Sequence, residues 1–172
     1  MKLLILDTSQ SKAVAMLHRQ GSALIKKEFD AQCQQKFLID SIDFLLKEAD
    51  LSLTDLTGIA ICIGPGSFTG TRIGVMTAKT LSYANHLPLI PFNSLLPYHT
   101  ENTLTLLGLK NNLCFCFDGQ IVKKITYQSL FEEKRPLFSL NPETLPIPAF
   151  QAIFSPKPIL ILAPSHEANL IY

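Results

Sequence analysis

The stretch from Gly64 to Arg72, GPGSFTGTR, sets three glycines, a proline and three hydroxyl residues between an apolar run and a helix-like segment. Three chemistries use loops of this kind: phosphate binding, acyl transfer at a serine, and the start of a helix. A triphosphate loop needs a second glycine followed by lysine and a hydroxyl residue, and no such lysine follows Gly64 or Gly66. A nucleophile elbow needs glycines two residues either side of its serine, but Pro65 and Thr69 flank Ser67. Thr69 also stands where the dinucleotide fingerprint requires its last glycine. Two readings remain. The free amides of a helix start hold an anion, or Ser67 or Thr69 caps the helix for about 1 kcal/mol. The loop set is therefore Gly64, Gly66, Ser67, Thr69 and Gly70. Asp7, Thr8 and Ser9 close the first apolar run and join this set. They place a carboxylate and two hydroxyls beside a phosphate, or they form an Asx or Ser/Thr turn.

Other reactive side chains are scattered. His18, His86, His99 and His166 are isolated, and none pairs with another at the helical spacing of a metal site. No Ser/His/Asp set can be assigned, and no metal is expected. Cys33, Cys62, Cys114 and Cys116 form neither a zinc nor a disulfide pattern. Cys114 and Cys116 lie two apart and face one side of a strand. Buried free thiols fit a reducing cytoplasm.

The elements that must position these residues follow from periodicity. Residues 2–9, 13–19 and 23–29 read as a three-stranded antiparallel meander. From Gln34 to Ala49 the period becomes helical. Leu38, Ile42, Leu45 and Ala49, with Ile39 and Leu46 beside them, form one face, opposite Lys36, Asp40, Asp43 and Lys47. Phe37 and Phe44 make a second apolar spot, more than one packing face requires. SLTD (52–55) has capping-box spacing and predicts a single turn. Residues 58–64 are a buried strand, 70–85 a helix and 88–92 a strand. On that helix Gly74, Ala78 and Ser82 form a smooth stripe where another backbone could approach closely. Residues 103–127 hold two or three further strands with a hairpin turn at Asp118–Gln120. Prolines crowd the chain beyond Arg135, which argues against long regular elements there, apart from a last strand at 158–163.

The chain has 172 residues, is 47% hydrophobic and 17% charged, and carries a net charge of +1. That balance supports a folded core and shows no basic excess of the kind that marks a nucleic-acid binder. No apolar run nears the roughly 18 residues of a membrane span, and the N-terminus lacks a signal-peptide pattern.

GPGSFTGTRIGVMTAKTL, preceded by DLTGIAICI and followed by LPLIPFNSL, resembles the TsaB family, also called YeaZ. LLILDTSQSKAVAML fits that family's first hairpin, and LIDSIDFLLKEADLSLTDL its next segment. The likeness covers about residues 2–98. It implies an α/β chain with an actin-like (ASKHA), ribonuclease-H-like fold, complete in the N-terminal half (1–98) and reduced in the C-terminal half (99–172). It also implies a non-catalytic support subunit in tRNA adenosine-37 threonylcarbamoylation, in the cytoplasm and away from membranes. The implied partners are a TsaD-type transferase and a TsaE-type ATPase, with possible homodimers and only indirect tRNA contact. No cofactor is implied, and any ATP contact would lie at the partner interface. The family's pairing surface is its first two helices, here through Phe37, Ser41, Phe44, Arg72, Gly74, Val75, Ala78 and Ser82. The loop would then aim the second helix at the partner. The chain departs from the family at GLKNNLCFCF, which lacks the acid of the matching stretch. A small-molecule phosphotransferase of the same superfold, using Asp7 and the 64–70 loop, is the competing expectation.

Overall fold

The computed structural model describes residues 1–20, 25–30, 34–130 and 133–141. The strand expected at 158–163, Cys33 and His166 lie outside these residues. The chain divides into two units at Ser94 and Leu95.

The first unit holds one five-stranded sheet in the order β3-β2-β1-β4-β5. Strands β1 (Lys2–Asp7), β2 (Lys12–Arg19) and β3 (Ile25–Asp30) form the antiparallel meander. Strand β4 (Gly58–Cys62) runs parallel to β1, and β5 (Leu89–Phe92) parallel to β4. Parallel neighbours need crossovers, and two helices supply them. Helix α1 (Gln34–Glu48) links β3 to β4, and α2 (Phe68–Asn85) links β4 to β5. The one-turn 3-10 helix Leu53–Asp55 follows α1. It is closed by Asp55, whose carboxylate accepts from the Ser52 amide at 2.9 Å and its hydroxyl at 2.6 Å.

Both helices cover one face of the sheet. Leu38, Ile42, Leu45 and Leu46 of α1 and Ala78 of α2 join Leu4, Leu6, Ala15, Leu17, Ile59 and Ile61 in one buried cluster. Ile39, expected beside that face, is exposed, because its position has rotated past the sheet-facing arc. Strand β1 is buried on both faces, since Leu3 and Ile5 are also sequestered. This explains its continuous apolar run. Edge strand β3 shows the opposite pattern, with Lys26, Lys27 and Glu28 exposed and Lys26 paired with Glu28.

Helix α2 begins two residues earlier than its periodicity predicts. Ser67 is its N-cap and accepts from the Gly70 amide at 3.2 Å. It ends at His86 in the left-handed conformation, whose amide donates to the Ser82 carbonyl.

The second unit repeats the opening of the first. Strands β6 (Leu104–Gly108), β7 (Leu113–Phe117) and β8 (Val122–Thr126) form a meander, and β9 (Leu137–Ser139) pairs parallel to β6. Strand β9 corrects the expectation of irregular chain beyond Arg135. Its partner is distant in sequence, so local pattern cannot reveal it. Where the first unit has α1, the second has a 3-10 turn, Tyr127–Leu130. Tyr127 and Leu130 cover Leu104, Leu106, Cys114 and Cys116 in a small core. Among the described residues nothing in this unit matches α2 or β5.

Gly74 is a point of very close approach between α2 and the sheet. A Cβ there would overlap the Thr8 hydroxyl and press on Ile61. Thr8 cannot yield, because its hydroxyl donates to the buried Gly70 carbonyl at 2.7 Å. Gly74→Ala should therefore destabilise the protein by about 1–3 kcal/mol, the usual range for overpacking. Urea unfolding will show this as a lower midpoint at unchanged slope.

Candidate functional site

The loop after β4 is stitched to its surroundings by its own polar groups. Asp7 ends β1 and accepts from the Ser9 amide at 2.8 Å and the Ser9 hydroxyl at 2.7 Å. The Ser9 carbonyl takes the Ser67 amide at 2.6 Å. Gln10 donates to the Ser9 hydroxyl and to the Pro65 carbonyl. Ser94, just after β5, donates its amide to Gly64 at 2.9 Å and its hydroxyl to Pro65 at 2.5 Å. Gly66 lies so close to Ser9 that a Cβ would overlap the Ser9 carbonyl. Three chain segments thus meet at one knot, which fixes where α2 starts.

This arrangement resolves the choices the residues left open. Ser67, rather than Thr69, caps α2, and Thr69 sits exposed on the first turn. Asp7 and Ser9 form the Asx-type turn. Thr8 is fully buried and serves Gly70. The hydroxyls of Thr8 and Ser9 are therefore spent on internal bonds. Cys62 lies against the same knot, its thiol donating to the Ser9 hydroxyl at 3.5 Å. Burial, reinforced by the Asp7 charge, pushes that thiol far above its ordinary pKa. Burial raises Cys114 to about 12 and Cys116 to about 11. Asp118, the possible second acid of a phosphotransferase, accepts from the Gln120 and Ile121 amides at 3.0 Å in its hairpin turn. Among the described residues no three His, Cys, Asp or Glu side chains cluster as metal ligands.

The second candidate is the outer surface of the helices, and here the structure corrects the expected residue set. Gly74 and Ala78 are buried against the sheet, so the small-residue stripe seats α2 on β1 and β4 and is not an exposed face. Ser41 is likewise buried. Ser82 is half-buried and donates to the Leu87 carbonyl at 2.7 Å, closing the helix end. Val75 is partly buried against the core. Phe37, Phe44 and Arg72 remain at the surface. Phe44 sits beneath the Lys27 ammonium of β3 at 4.4 Å. The Phe37/Phe44 spot therefore lies on the flank of α1 turned toward the β3 edge, away from α2.

On α2 the outward face carries residues that periodicity alone did not single out. Phe68 is 72% exposed, Met76 63% and Tyr83 87%. With Arg72 they recur at helical spacing on the side opposite Gly74 and Ala78. The signal was present in the sequence as large apolar residues out of phase with the packing face. The Arg72 guanidinium lies over the Phe68 ring at 4.3 Å. Beside it an open groove of about 360 Å³ is lined by Arg72, Ile73, Met76 and Thr77.

Residues 28–131 match the family of TsaD, tRNA N6-adenosine threonylcarbamoyltransferase. The chain belongs to this family. Three relatives that align over about half the chain are TsaB proteins. The tRNA threonylcarbamoyladenosine biosynthesis protein TsaB of Haemophilus influenzae is 37% identical over 94 residues, covering 54% of this chain and 39% of that protein. The TsaB of Bacillus subtilis is 32% identical over 101 residues, covering 55% and 42%. A shorter match, 53% identical over 51 residues, is to the tRNA N6-adenosine threonylcarbamoyltransferase of Lacticaseibacillus casei, covering 30% of this chain and 15% of that enzyme. The chain spans less than half the length of these curated relatives. Two solved structures share the fold. One, a Pseudomonas aeruginosa protein with similarity to peptidase YeaZ, superposes with a TM-score of 0.69 at 20% identity, covering 80% of this chain and 74% of that one. The other, YeaZ from Pseudomonas aeruginosa, gives 0.60 at 24% identity, covering 72% and 63%. The TsaB (YeaZ) resemblance and the actin-like α/β fold thus hold.

Two tests follow for the knot. Ser67→Ala should cost about 1 kcal/mol as a lost cap, and Gly66→Ala more, since backbone must move; thermal unfolding of both variants reads this. Cys62, Cys114 and Cys116 should resist iodoacetamide near neutral pH, because their raised pKa leaves almost no thiolate. Peptide mapping should find them modified only once the protein unfolds.

Proposed function

We propose that this chain is the TsaB-type, non-catalytic subunit of tRNA adenosine-37 threonylcarbamoylation, acting in the cytoplasm by pairing with a TsaD-type transferase. The observation that carries this reading is the outward face of α2. It exposes Phe68, Met76 and Tyr83 on a helix whose seat on the sheet is already complete. Large apolar side chains grouped on one solvent face mark a partner site. The support role fits the internal use of the loop's hydroxyls, which leaves Ser9 and Thr8 engaged with Asp7 and Gly70. It fits the relatives as well, which are named biosynthesis proteins.

Association with a TsaE-type ATPase and self-association of the chain belong to the same reading, and tRNA is reached through the complex. The isolated chain binds no nucleotide on this view, and any ATP contact lies at the partner interface. No described helix is long and apolar enough to cross a membrane.

The test is co-purification with the TsaD-type protein of the same genome, followed by light scattering. A one-to-one complex is expected. Met76→Glu together with Tyr83→Glu should weaken it by at least about thirtyfold, as for loss of interface hot spots, while the circular dichroism spectrum stays native. Absence of any complex would overturn the pairing role. Micromolar ATP binding by the isolated chain would favour the phosphotransferase reading instead.

A further inference from the structure

The geometry points to Arg72 as the residue that selects the partner of α2, and to a protein surface that sets a carboxylate among apolar side chains as what it selects. This inference rests on the pairing role proposed above. Arg72 lies in the middle of the exposed apolar face, one turn from Phe68 and one turn from Met76. Its guanidinium lies over the Phe68 ring at 4.3 Å. It also forms one wall of the 360 Å³ groove, together with Ile73, Met76 and Thr77. A stacked guanidinium keeps its donors free at its edge and gives up less conformational freedom on binding than a loose one. Its planar fork matches a carboxylate with two parallel hydrogen bonds.

Among the described residues no such carboxylate is supplied from within. None of the ion pairs among the described residues involves Arg72 or Lys79, the other cation of this helix. No acidic residue stands anywhere between Asp55 and Glu101 in the chain. The face is therefore apolar and positive, and its complement is apolar and negative.

The same observations decide among occupants. Two-fold pairing sets one patch against itself. Stacking α2 on a second α2 would set Arg72 and Lys79 against a copy of the same helix, which carries no acid. Nucleic acid is disfavoured because affinity for phosphate grows with the number of cations, and this face offers two among large apolar groups. A different protein, with an acidic residue on an apolar face, satisfies both features.

The experiment titrates the full chain against the TsaD-type protein of the same genome by calorimetry. The variants are Arg72→Glu, Arg72→Lys and Phe68→Ala, each checked for a native circular dichroism spectrum. Measurements are made at roughly 0.01 M and 1 M salt, between which the screening length falls from about 30 to about 3 Å. Arg72→Glu is expected to weaken binding by at least about tenfold at low salt, with Arg72→Lys between it and wild type. Salt should weaken the wild type and spare Arg72→Glu. Phe68→Ala, which removes the platform but keeps the charge, should also weaken binding. Equal affinity of wild type and Arg72→Glu at both salts would overturn the role of Arg72 and leave the pairing reading standing. No binding by the wild type would overturn the pairing reading itself. Homodimers that dissociate on Arg72→Glu, with heteromeric affinity unchanged, would place a second copy in the groove and overturn the choice of partner.

Discussion

The first unit depends on the contact between Thr8 and the inner face of α2. Thr8 sits where β1 ends, fully buried, and its hydroxyl is satisfied by the Gly70 carbonyl in the first turn of the helix. One turn further on, Gly74 has no side chain to separate the helix from the same threonine. One turn beyond that, Ala78 completes a seat of minimal bulk. A helix held this close to the sheet buries a strong polar pair without leaving either member unsatisfied, which in an apolar interior would cost about 1–3 kcal/mol. The residues that look like a helix–helix interface are thus consumed by the fold.

That consumption determines what the outer face can do. Seating α2 through Gly70, Gly74 and Ala78 turns Phe68, Arg72, Met76 and Tyr83 to solvent. The knot of Ser9, Gly64, Pro65 and Ser94 sets the helix start, so the direction of that face is decided by backbone hydrogen bonds of the loop. The loop is then a bracket for the helix. Gly66 answers to steric closeness, Gly64 to a positive φ, and the serine to an open amide.

The two units reach the same strand pattern by different crossovers. Both start with a three-stranded meander and a parallel fourth strand. The first crosses over with a long helix that buries Leu38, Ile42 and Leu45. The second crosses over with a 3-10 turn and covers its sheet with Tyr127 and Leu130. A shorter crossover still forms a parallel pair, provided a few large side chains replace the helix face.

Much of this was legible in the residues. The strands, both helices, the SLTD turn and the hairpin at Asp118 follow from period and turn chemistry, because each is governed by neighbours in the chain. The family likeness was equally local, carried by one string of residues. Strand β9 was not legible, since its partner β6 is remote and its three residues hold no periodic signal. The candidate surface was only half legible. The sequence by itself determined that α2 has a small-residue face and a large-residue face, and that no acid lies between Asp55 and Glu101. Only the tertiary structure decided which face meets the sheet. Strand β1 is followed directly by Thr8, whose hydroxyl needs a partner, and only the small face lets the helix backbone come near enough to provide it.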